Sequence, residues 1–96
     1  SIKNLMNRRV HIVVSGKVQG VSFRSNIKKL ADSLIVYGNV KNIDIDKIEA
    51  IFEGEPIAVN KLVEFCKEGP DEAEVLAIII DEGDYKGEFK NFSITE

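Results

Sequence analysis

Between Arg9 and Ser15 the chain alternates, with Val10, Ile12 and Val14 on one side, until Gly16 breaks the pattern. A period of two belongs to a strand with one buried face, so a first strand is predicted there. From Ser22 the period lengthens. Phe23, Ile27, Leu30 and Leu34 recur at steps of four, three and four, the stripe of an amphipathic helix that starts near Val21 or Ser22. Alternation returns over Val36 to Asn42, where Val36, Gly38 and Val40 share a face, and over Lys47 to Glu53 through Ile48, Ala50 and Phe52. Asp44, Ile45 and Asp46 between them suit a hairpin turn. Gly54, Glu55 and Pro56 then open a second helix, striped by Val59, Leu62, Val63 and Cys66 and ending near Gly69 and Pro70. The apolar run Val75 to Ile80 is too short for a typical helix and reads as a strand, and Phe89 to Thr95 alternates once more.

The resulting order is β-α-β-β-α-β with one late strand to spare. It predicts an α+β fold, the ferredoxin-like α/β sandwich, in which an antiparallel sheet carries two helices on one face and an extra C-terminal strand.

With 96 residues, 44% of them hydrophobic, the chain can bury one core but not two independent ones. Residues 1–8 read as a polar N-terminal extension and residues 9–96 as one domain. The 13 basic and 16 acidic residues are interspersed and sum to a net charge of −3, which argues against a general nucleic-acid partner. Nothing approaches the roughly eighteen apolar residues of a membrane span, and the first residues lack a secretory signal's apolar stretch. Cys66 is the only cysteine and His11 the only histidine, so neither a disulfide nor a cysteine-based or histidine-only metal site can form within the chain. A cytoplasmic monomer without metal or cofactor is expected.

The most informative stretch joins the first strand to the first helix: Gly16-Lys17-Val18-Gln19-Gly20-Val21-Ser22-Phe23-Arg24. Its glycines allow consecutive N–H groups to converge, and the helix start adds unpaired N–H groups with partial positive charge, a concavity suited to phosphate. Arg24 follows Phe23 by about 100° of helix and can lean over that loop with a planar fork able to hold two phosphate oxygens. Taken alone, the same stretch also fits a plain turn followed by a solvated arginine. It is neither a Walker loop nor a dinucleotide fingerprint, because both spacings are absent. In Gly38-Asn39-Val40-Lys41-Asn42, parity puts Asn42 on the helix side of its strand. An asparagine there can bond its own backbone as a turn former, and a functional reading needs Arg24 nearby.

The first stretch resembles the acylphosphatase signature Gly-x-Val-Gln-Gly-Val-x-Phe-Arg with every fixed position filled, and Gly38 to Asn42 resembles the family's second motif, Gly-x-Val-x-Asn. The similarity extends from Arg9 to Glu96, including Gly69-Pro70 and Phe89 to Ile94. The resemblance implies a metal-independent hydrolase that splits the carboxyl–phosphate bond of small acyl phosphates into a carboxylate and inorganic phosphate, with phosphate as product and inhibitor. By the same resemblance, Arg24 binds phosphate, Asn42 orients the attacking water, and Gly16, Lys17, Val18, Gln19, Gly20 and Val21 form the phosphate loop. Three positions depart from the family pattern: Ile35 where glycine is frequent, Asn39 where an aromatic is common, and Ile45-Asp46 where Asp-Gly is usual. They bear on local turn geometry and not on the chemistry.

That chemistry needs few groups. An acyl phosphate is a mixed anhydride whose leaving carboxylate is a weak base, so no strong general acid is required. What is needed is to hold a phosphoryl group, stabilise its oxygens and place water in line. His11 falls on the solvent parity of its strand, and Cys66 reads as core. The leading rival is a binding module, because this fold also serves RNA binding and ligand sensing. Lys47 to Phe52 reads Lys-Ile-Glu-Ala-Ile-Phe, without the aromatic pattern of an RNA-recognition motif. A non-catalytic phosphate or small-ligand module stays as the alternative, separable by incubation with an acyl phosphate. The family domain also occurs within larger carbamoyl-transfer maturation enzymes, and a free-standing protein is the simpler expectation.

Overall fold

The computed structural model describes residues 6–96, and residues 1–5 of the expected extension lie outside them. Strand β1 (Arg8–Lys17) is followed by helix α1 (Phe23–Leu34), the hairpin β2 (Tyr37–Asp44) and β3 (Lys47–Gly54), helix α2 (Pro56–Glu68), and then β4 (Glu74–Gly83) and β5 (Phe92–Ile94). The last strand is shorter than its alternating pattern suggested. The sheet order is β4-β1-β3-β2-β5.

Alternation decides which face is covered. Val10, Ile12 and Val14 of β1, Val40 of β2, and Ile48, Ala50 and Phe52 of β3 are all buried on one side. They form a single cluster with Phe23, Ile27 and Ala31 of α1 and with Val59, Leu62, Val63 and Cys66 of α2, so both helices cover the same face. Leu30 and Leu34 pack only partly, because Ala31 occupies the centre of the α1 stripe. At about 1.5–3 kcal/mol for each large apolar side chain removed from water, this cluster dominates the fold. The architecture is the ferredoxin-like α+β sandwich.

One expectation requires correction: the sheet is mixed. β1 is antiparallel to β3 and β4, and β3 to β2, but β5 runs parallel to β2, pairing Gly38 with Phe92 and Val40 with Ile94. The cause is topological. β4 finishes beside the start of β1, where Gly83 pairs with Arg9. The connection crosses under that end of the sheet, so the chain can only run back in the direction of β2.

Both unusual turns keep their place with altered geometry. Ile35 ends α1 in the left-handed region at φ 56°. Neither Ile45 nor Asp46 has a positive φ, so the hairpin lacks a primed turn and instead shifts register between Asn42 and Asp44.

Candidate active site

The loop from β1 to α1 lies at the sheet end where β1 and β2 finish and β3 and β4 begin. Its two glycines act differently. At Gly16 the register against β4 shifts, and a Cβ there would stand 2.1 Å from the Glu74 carbonyl oxygen, so this glycine lets two backbones approach. Gly20 has φ 72° with open space where a Cβ would be, and its requirement is purely conformational. Ser22 repeats the left-handed turn at φ 62° as the residue before α1. A non-glycine residue held there stores strain of about 1–3 kcal/mol, a feature concentrated at functional sites. Left-handed residues at 20 and 22 turn the backbone sharply ahead of α1. The Ser22 carbonyl accepts from Asn26 N–H at 3.1 Å and from Asn26 Nδ2 at 2.7 Å.

A cavity of about 170 Å³ opens at this point, lined by Val18, Gly20, Ser22, Phe23, Arg24, Ser25 and Ile94. Of the expected loop residues, Val18, Gly20 and Arg24 border it, whereas Gly16, Lys17, Gln19 and Val21 form its frame. Arg8 and Arg9 are both ion-paired, to Glu82 and to Glu53 and Glu88 respectively. Arg24 makes no ion pair or side-chain hydrogen bond among the described residues, which leaves its fork free over the cavity.

Asn42 lies on β2 opposite Ile48 and does not border the cavity directly. Its Oδ1 is buried without a hydrogen-bond partner among the described residues. A buried carbonyl acceptor left unpaired costs about 1–3 kcal/mol, and a donor such as water would remove that cost. Ile94 links the two halves. It borders the cavity with Arg24, and it pairs with Val40, two residues before Asn42 on the same sheet face. β5 is held in place by Phe92 stacked on Phe52, with ring centroids 5.7 Å apart, and by Lys28 of α1, whose Nζ donates to the Phe92 carbonyl at 3.0 Å. Sequence reasoning did not single out Ser22, Ser25 and Ile94, which border the cavity. The terminal alternation marked β5, but no local pattern names the strand beside which it lies.

Residues set aside earlier take ordinary places. His11 on the open sheet face pairs with Glu49 at 2.8 Å, and that hydrogen bond, against the upward push of burial, holds the Glu49 carboxyl below its usual range. Cys66 is fully buried, which pushes its thiol up and keeps it protonated. A larger recess, lined by Met6, Asn7, Glu55, Pro56 and Ile57, lies at the opposite end of the sheet, away from the loop.

Comparison with known proteins agrees with the fold. A sequence model described as Acylphosphatase matches residues 10–94. An acylphosphatase from Syntrophus aciditrophicus (strain SB) is 44% identical over 89 residues, which cover 93% of each chain. Among solved structures, an acylphosphatase from Coxiella burnetii superposes with a TM-score of 0.89 at 33% identity, covering 97% of both chains. One from Bacillus subtilis gives 0.86 at 34% identity, covering 93% of this chain and 99% of that one. With the sequence model matched over residues 10–94 and nearly its full length shared with these proteins, the chain belongs to the acylphosphatase family.

Proposed function

We propose that this chain hydrolyses small acyl phosphates to a carboxylate and inorganic phosphate, acting as a cytoplasmic monomer with residues 9–96 as its working domain. The observation that carries this reading is the uncommitted Arg24 fork beside a loop turned left-handed at Gly20 and Ser22. Arg24 grips two phosphate oxygens while N–H groups of residues 17–21 receive the remaining charge. Asn42 Oδ1 accepts a hydrogen bond from water and so turns a water lone pair toward phosphorus. The new P–O bond forms as the bond to the acyl oxygen breaks, and the carboxylate leaves with the electron pair. The water proton passes to a phosphate oxygen, since an amide is too weak a base to take it. Positioning and charge stabilisation therefore supply most of the rate, as a loose phosphoryl transition state allows.

The test is hydrolysis of acetyl phosphate and benzoyl phosphate with and without EDTA. Turnover above background, unchanged by the chelator and inhibited competitively by inorganic phosphate, is expected. Phosphate binding without turnover would favour the non-catalytic module, and loss on chelation restored by a metal would overturn this mechanism.

A further inference from the structure

Gln19 belongs to the loop, yet its side chain points away from the cavity. Its Nε2 donates to the carbonyl oxygens of Asp44 and, at 3.0 Å, of Lys47. Both protons of one amide nitrogen are thus spent on the two strand ends that flank the β2–β3 turn. A third bond joins the same parts, from Gly16 N–H to the Asp46 carbonyl at 2.9 Å. Asn42 and its cross-strand partner Ile48 stand immediately inside this grip, since Asp44 pairs with Lys47 and the register shifts between Asn42 and Asp44. No left-handed residue in the turn fixes that register. The hairpin end carrying Asn42 therefore depends on an outside attachment, and Gln19 supplies it from the phosphate loop itself.

We propose that Gln19 is a positioning residue whose side-chain amide sets the separation between the phosphate loop and Asn42, keeping phosphate and water in line. This rests on the function proposed above. The role requires a nitrogen with two protons to give. Leucine gives none. An ionised glutamate gives none and turns negative charge against two carbonyl oxygens, whereas a protonated one restores a single donor. The unfavourable contact raises such a carboxyl above its usual value of about 4.3, so the donor returns within the mildly acidic range.

Acetyl phosphate hydrolysis is measured from pH 4.5 to 8 for the wild type, Gln19→Leu and Gln19→Glu, with inorganic phosphate as inhibitor and thermal unfolding on the same samples. A misplacement of about an ångström can cost up to about a hundredfold in rate. Gln19→Leu is accordingly expected to lose about tenfold or more in kcat while KM and the phosphate inhibition constant stay within about threefold. Gln19→Glu should lose as much at pH 8 and recover relative to the wild type toward pH 4.5. A purely structural glutamine would not produce that recovery. The proposal is overturned by an unchanged kcat in Gln19→Leu, by KM and phosphate inhibition weakening in step with kcat, or by a Gln19→Glu to wild-type ratio that is flat with pH. If Gln19→Leu does not fold, the pH ratio of Gln19→Glu decides alone. An inactive wild type would remove the function reading and this role together, whereas an active wild type with an unaffected variant removes this role only.

Discussion

In the proposed mechanism Arg24 supplies charge and Asn42 direction, and their replacements should separate the two. Arg24→Lys keeps a positive charge but exchanges a planar five-donor fork for a point charge on a flexible stem. Phosphate inhibition should weaken and turnover fall by about a hundredfold or more, with little change in stability, because Arg24 holds no partner in the described residues. Paired inhibition and unfolding measurements decide this, and a folded variant with normal turnover would release Arg24 from its role. Asn42→Ala should leave phosphate inhibition nearly intact and remove about 3 kcal/mol of transition-state stabilisation. Near-normal turnover in Asn42→Ala would return Asn42 to the role of a turn former. Both residues stood out in the sequence through their motifs and spacing, but the burial of Asn42 Oδ1 did not, since it depends on what surrounds the side chain.

At the scale of elements, periodicity reported which face is buried and stayed silent where conformation is local. The stripe of α2 and the alternation of β1 to β3 correspond to buried residues almost position by position, whereas in α1 only Phe23 and Ile27 of the expected four are buried and Ala31 takes the centre. The run Val75 to Ile80 misleads in one respect. It forms the edge strand β4, where Leu76 and Ile79 stay exposed, because an apolar run identifies a strand without saying whether both faces are covered. Ile35 shows the same limit at a helix end. Val36 N–H donates to the Ala31 carbonyl at 2.9 Å and Ile35 N–H to Asp32 at 3.3 Å, the pair of bonds that closes a helix on a left-handed residue. A β-branched side chain there clashes with its own backbone at about 1–2 kcal/mol, and at 70% exposure Ile35 recovers little by burial. Ile35→Gly should therefore stabilise the protein by about 1 kcal/mol, less what glycine's freedom in the unfolded chain takes back, and raise the thermal midpoint by several degrees. An unfolding scan that shows a lower midpoint would mean that the isoleucine packs more than its exposure indicates.

For the whole molecule, the determining event is the crossing from β4 to β5, which gives β5 its direction and brings Ile94 to the cavity. No pattern of neighbouring residues encodes it, because the contacts that hold it join distant parts of the chain. They centre on Glu53, at the sheet end opposite the site, whose side chain is 2% exposed. Its carboxylate accepts from Arg9 at 3.0 Å and from the N–H groups of Lys86, Gly87 and Glu88 at 2.8, 3.3 and 3.2 Å. Arg9 in turn pairs with Glu88 at 2.8 Å and lies over the Phe89 ring. Burial alone would push the Glu53 carboxyl up, but donation from the Lys86 N–H, from Arg9 and from the Glu88 N–H outweighs it and holds the group below its ordinary range. A carboxyl whose native value is depressed adds stability above its unfolded value of about 4.3, and that contribution disappears as pH falls through the native value. Glu53→Gln cannot ionise and gives up charge-assisted bonds, so at pH 7 it should be less stable than the wild type by about 2 kcal/mol. The deficit should shrink as pH is lowered from 5 toward 2, because the wild type loses what the variant never had. Urea unfolding of both proteins at pH 7, 4 and 3 measures the gap directly. A gap that stays constant across that range would show that the shape of the side chain, and not its charge, holds the crossing loop in place.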